Sequence, residues 1–179
     1  MSFTSKSPVA VARHALAVAE GALRPYAHRF SPKKYTQHQL FACLALKAFF
    51  KADYRGIVVY LEDLPELAGA LGLDSVPHWT TLQKAAGRLL AIPAADRLLA
   101  ATSERFSTSR RVGRAAFDST GFSCGHASRY YVRRRRAKPV RGSRRVSYKR
   151  FAKLEAAFDA GTHLIIGAIP RRGPAVDTD

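Results

Sequence analysis

Acidic side chains are scarce in this chain: 13 Asp plus Glu stand against 30 Lys plus Arg, a formal charge of +17. That balance concentrates polyanions, of which nucleic acid is the commonest and an anionic membrane the other candidate. Long apolar runs are missing too. No stretch approaches the roughly 18 residues needed to span a bilayer. Cysteine is rare, with Cys43 and Cys124 far apart and no CxxC or Cys/His ligand spacing. A disulfide framework and a zinc site are thereby excluded, and free thiols in a reducing cytoplasm are the expectation. The opening stretch is rich in small residues but carries Arg13, His14 and Glu20 inside its apolar part, which argues against a signal peptide. Internal repeats are absent. What is present is ample apolar material, 47% of 179 residues, enough for a packed core in one domain or two small ones.

The charge is unevenly distributed. Residues 1–104 carry 12 basic and 8 acidic side chains, whereas residues 105–179 carry 18 and 5. A domain boundary is therefore expected near residues 103–113, separating a helical 1–104, a candidate DNA-binding domain, from a strand-bearing 105–179. In the first part Thr36 and Gln39 have capping-box spacing, followed by Leu40, Leu44 and Ala48 in an apolar stripe. Thr80 and Gln83 repeat that spacing and predict a second helix start. Between them, 57–61 and 64–71 read as short helices punctuated by Pro65 and Gly72, and Pro93 opens another that carries Leu98, Leu99 and Phe106. Such a domain can seat a helix in a DNA groove, although no recognition helix stands out.

The second part changes period. Ala115–Asp118 reads as a short strand stopped by Gly121. Ala152, Leu154, Ala156 and Phe158 alternate with Lys153 and Glu155, predicting a half-buried strand. Turn residues at 159–162 and the apolar 163–169 complete a hairpin over 151–169, with Pro170, Gly173 and Pro174 breaking the pattern. Between these strands, 11 of the 22 residues from Arg129 to Arg150 are Lys or Arg and none is acidic. Arginine forks match phosphate oxygens, and interleaved tyrosines can stack on bases. The expected DNA contacts are Arg129, Tyr130, Tyr131, Arg133, Arg134, Arg135, Arg136, Lys138, Arg141, Arg144, Arg145, Lys149 and Arg150. The six histidines show no ligand spacing and read as ordinary surface or core residues.

One acid, Asp118, precedes this run. An Asp before Ser-Thr-Gly is commonly a turn former. The less common reading of such an acid, at the end of a central strand, is a ligand to Mg²⁺, which takes carboxylate oxygens and polarises phosphates.

Tyr35-Thr-Gln-His-Gln-Leu-Phe41, Asp53-Tyr-Arg-Gly56, Leu71-Gly-Leu73, Val76-Pro-His78, Thr80-Thr-Leu-Gln83, Phe117-Asp-Ser-Thr-Gly-Phe122 and His126-Ala-Ser-Arg-Tyr-Tyr131 together resemble insertion-sequence transposases of the DDE type. The resemblance runs from about residue 30 to the last residue, and its most specific piece is Asp-Ser-Thr-Gly-Phe with Arg-Tyr-Tyr behind it. It implies an α+β fold in which the helical domain is followed by the first three strands of a ribonuclease-H-like catalytic domain. Asp118 would end the first strand as catalytic residue and metal ligand, and residues of about 150–169 would form the next two. It further implies Mg²⁺ or Mn²⁺ in the complete enzyme, DNA as partner (element ends and target), a homodimer within the transposition complex, and no membrane. The family also needs a second Asp and a Glu from later elements. Asp159, Asp177 and Asp179 do not match those positions, so the chain resembles the front part of a transposase and is expected to be inactive alone. The alternative is a non-catalytic nucleic-acid-binding protein in which Asp118 is structural.

Overall fold

The computed structural model describes residues 6–107, 112–122 and 151–173. Among these the fold is α+β, six helices and a three-stranded antiparallel sheet. The chain divides into two compact units, Met1–Ser107 and Thr108–Asp179. Every buried apolar side chain among the described residues lies in the first.

Helix α1 (Pro8–Ala22) starts where the Ser7 hydroxyl accepts from the Ala10 N–H, with proline at its first position. Its inner face, Ala12, Ala15, Val18 and Ala19, is small enough to let α2 (Gln37–Phe49) and a later helix approach closely. The expected capping box opens α2: the Thr36 hydroxyl accepts from the Gln39 N–H at 3.1 Å, and Gln39 Oε1 accepts from the Thr36 N–H at 2.9 Å. The same Gln39 amide donates to the Gly72 carbonyl at 2.6 Å. One side chain thus caps α2 and ties it to the turn at Leu71 and Gly72. That turn needs Gly72, whose φ of +61° is costly for any residue with a Cβ.

Asp53 caps α3 (Tyr54–Asp63) by accepting from the Gly56 N–H, and Pro65 separates it from α4 (Pro65–Ala70). Leu46, Ile57, Leu61, Leu67, Leu71, Leu82 and Leu89 meet as the fully buried centre. Each such side chain contributes roughly 1.5–3 kcal/mol of transfer free energy, before the ordering entropy it costs.

Helix α5 (Trp79–Leu89) departs from the expected start. Its cap is His78, whose Nδ1 faces both the Thr80 N–H and, at 2.8 Å, the Thr80 hydroxyl. Thr80 is already inside the first turn with its hydroxyl engaged, so it cannot form a capping box with Gln83. Helix α6 (Ile92–Phe106) carries proline in its first turn, as expected from Pro93, and buries Leu98 against Val18 and Ala19 of α1.

The second unit is a meander of β1 (Ala115–Phe122), β2 (Phe151–Asp159) and β3 (Ile165–Gly173), in the order β1-β2-β3. Gly121 does not stop β1, because it pairs with Lys153 and the ladder continues to Phe122 opposite Ala152. Pro170 lies inside β3, which is an edge strand, where a missing donor is tolerated. The hairpin turn is longer than predicted. Asp159 accepts from Gly161 N–H and Thr162 Oγ1, and His163 adopts φ +58°, so β3 begins at Ile165. On β2, Leu154, Glu155, Ala156 and Phe158 are all half-buried, so burial does not follow the apolar alternation. Lys153 is only 6% exposed, more buried than the apolar residues beside it. Glu155 explains this by standing between Lys153, at 3.3 Å, and the Arg171 guanidinium, at 2.8 Å.

No helix among the described residues is long and apolar enough to cross a membrane.

Candidate functional site

Asp118 is the fourth of eight residues in β1, an outer strand of the sheet. The expectation that it ends the strand is corrected: Ser119 to Phe122 extend the ladder beyond it. Its cross-strand neighbours on the same face are Ala156 and, one strand further, Ala168. Two methyl groups leave the carboxylate uncovered, and Asp118 is exposed. Oδ1 accepts from the Ser119 N–H at 2.7 Å, while Oδ2 has no hydrogen-bond partner among the described residues. A cavity of about 360 Å³ lies against the same stretch, lined by Phe117–Ser119, Glu155–Ala157 and Gly167–Ile169.

The other carboxylates of the sheet are committed elsewhere. Paired residues share a face, so Glu155, opposite Ser119, points away from the face of Asp118. It is held there by Lys153 and Arg171; its Oε1 is close to Lys153 Nζ, although the two are not aligned as a hydrogen bond. Asp159 closes the hairpin turn. The Thr162 hydroxyl, then the Gly161 N–H, hold its carboxyl below the usual carboxylate range. Among the described residues no three His, Cys, Asp or Glu side chains gather as metal ligands. Mg²⁺ commonly binds through one or two carboxylates plus waters and substrate phosphates. Asp118 fits one such position, but one carboxylate falls short of a two-ion clamp.

All thirteen residues expected to contact DNA, from Arg129 to Arg150, lie outside the described residues, as do Asp177 and Asp179. In sequence the thirteen fall between Phe122, the last residue of β1, and Phe151, the first of β2, and Phe122 pairs with Ala152. Both anchors are therefore at one end of the sheet. Four residues of strand, roughly 13 Å, separate that end from Asp118.

Three arginines come together that sequence reading did not single out. Arg24, Arg88 and Arg97 line a cavity of about 630 Å³ in the helical unit. They come from the α1–α2 connection, α5 and α6, and no local pattern joins positions so far apart.

Cys43 is fully buried and free, and burial pushes its thiol up to about 12. Iodoacetamide at about pH 8 should therefore label Cys43 in the folded chain ~10³-fold more slowly than an exposed thiol. Peptide mass spectrometry with and without urea checks this, and equal labelling in both would mean that the α2 core opens readily.

Compared with protein-family models, with curated proteins and with solved structures, the chain matches none.

Proposed function

We propose that the chain acts in DNA transposition, as the front part of a DDE-type transposase whose catalytic domain is ribonuclease-H-like. The observation that carries this reading is the exposed carboxylate of Asp118 on the outer strand of an antiparallel β1-β2-β3 meander, with the arginine-rich segment connecting β1 to β2. Strand geometry fixes the acid, and the segment from 123 to 150, rich in phosphate-binding charge, is joined to β1 and β2 in sequence. In the complete enzyme Asp118 would be one ligand to Mg²⁺ or Mn²⁺, which supplies polarisation of the scissile phosphate. The remaining ligands would come from a second Asp and a Glu, as in the resembled family, and DNA phosphates would complete the ion's shell. The arginine-rich segment grips the DNA backbone at element ends and target, and a homodimer in the transposition complex would hold two ends.

Metal binding at Asp118 can be read without catalysis. Iron(II) in place of magnesium, with ascorbate and peroxide, should cut the polypeptide near residue 118 when DNA is bound. Asp118→Asn should remove that cut while DNA affinity is retained. DNA-dependent cutting that persists in Asp118→Asn, or no cutting near 118 at all, would leave the competing reading, a nucleic-acid-binding protein with a structural Asp118.

A further inference from the structure

The helical unit holds a basic cavity that this reading does not use. It is lined by Arg24, Arg88 and Arg97 together with Tyr26 and Gln37, and no carboxylate lines it. Glu20 and Asp96 adjoin lining residues in sequence, yet no ion pair forms between any of the three arginines and a described acid. Of the three, the Arg88 side chain is held in place through Gln37. The Arg88 Nε–H donates to Gln37 Oε1 at 3.3 Å, and the Gln37 amide donates to the Arg24 carbonyl at 2.9 Å. Gln37 itself is fixed because its own N–H donates to the Pro25 carbonyl at 2.7 Å at the start of α2.

Three like charges around one cavity repel each other unless an anion sits among them. Guanidinium forks match the oxygens of phosphate in particular. The volume, about 630 Å³, exceeds what a lone oxyanion needs. All three arginines are exposed, so the cavity opens to solvent rather than enclosing a small ligand. An extended phosphodiester with its sugars, entering from outside, suits that shape.

We infer that the Arg24–Arg88–Arg97 cavity is a phosphate clamp for the backbone of a DNA strand, separate from the arginine-rich segment. It rests on the proposal that DNA is the partner, but not on catalysis or on Asp118. As a backbone grip it positions the helical unit on DNA without reading bases.

The test uses the full chain carrying Arg133→Ala, Arg134→Ala, Arg135→Ala and Arg136→Ala, so that the segment's share of the affinity no longer hides that of the cavity. Duplex DNA of about 16 base pairs is added at about 50 mM salt while the arginine Nε–Hε NMR resonances are followed. Those of Arg24, Arg88 and Arg97 should move together and saturate. Adding Arg24→Gln and Arg97→Gln should weaken binding about tenfold and flatten the salt slope by about 2, roughly one per lost phosphate contact. The paired lysine substitutions should recover part of the affinity, since they restore charge without the fork. Resonances that stay still while DNA binds would overturn the clamp and leave the proposed DNA partner intact. Saturation by inorganic phosphate that DNA cannot displace would assign the cavity to a small phosphate ligand and overturn the DNA clamp. Absence of DNA binding by the unsubstituted chain would overturn both readings.

Discussion

Duplex DNA is expected to bind the chain ~10³-fold more weakly at 200 mM salt than at 50 mM. The reason is counterion release. About six phosphate contacts give a slope of log affinity against log salt near −5.4, and a fourfold rise in salt then costs about three orders of magnitude. The segment from Arg129 to Arg150 carries 11 basic residues and no acid, enough for that number of contacts. Replacing Arg133, Arg134, Arg135 and Arg136 with alanine removes up to four contacts. The slope should fall to about −2, and the same change of salt should then cost only about tenfold. Fluorescence anisotropy across a salt series measures both slopes. An unchanged slope would place the binding surface elsewhere, with the arginine cavity of the helical unit next in line.

What could be read in advance follows from the range of each interaction. The Thr36–Gln39 capping box spans three residues, and its spacing alone was enough to place the start of α2. Pro65 and Gly72 likewise act on their own backbone, and they bound α4 as expected. The same local logic failed at Thr80, because an imidazole two residues earlier took the capping role. Gly121 and Pro170 were read as breakers on intrinsic preference, but β1 and β3 are the outer strands, and pairing to β2 outweighed that preference. Lys153 is buried beside Glu155, whose other partner, Arg171, lies on the next strand, and no periodicity within β2 reveals that arrangement. The candidate site divides in the same way. Asp118 stands out as a candidate because a short contiguous motif carries it, whereas Arg24, Arg88 and Arg97 line one cavity only through the packing of helices.

The largest expected effect concerns strand cleavage. The 179-residue chain should bind DNA yet show no Mg²⁺- or Mn²⁺-dependent nicking of element-end DNA, and the sheet itself supplies the reason. Asp118 offers one free oxygen on one face. Glu155 is on the opposite face between Lys153 and Arg171, and Asp159 is consumed by its hairpin turn. Moving either toward Asp118 would mean flipping a strand's register or dismantling the turn. A single carboxylate in a chain of formal charge +17 is also a weak cation site, because the excess positive charge repels the metal that the acid attracts. DNA phosphates offset that repulsion, and a further Asp and Glu would complete the clamp. A form of the protein that carries these two residues on later elements should therefore cut element ends with either metal. In that form Asp118→Asn should lower cutting to background while leaving the affinity and salt slope for DNA unchanged, since in the proposed function the carboxylate holds the metal and the arginines grip the backbone. Gel assays of nicked product beside anisotropy separate the two readouts. Metal-dependent nicking by the 179-residue chain would refute the carboxylate argument. Full cutting by the completed Asp118→Asn protein would remove Asp118 from the mechanism.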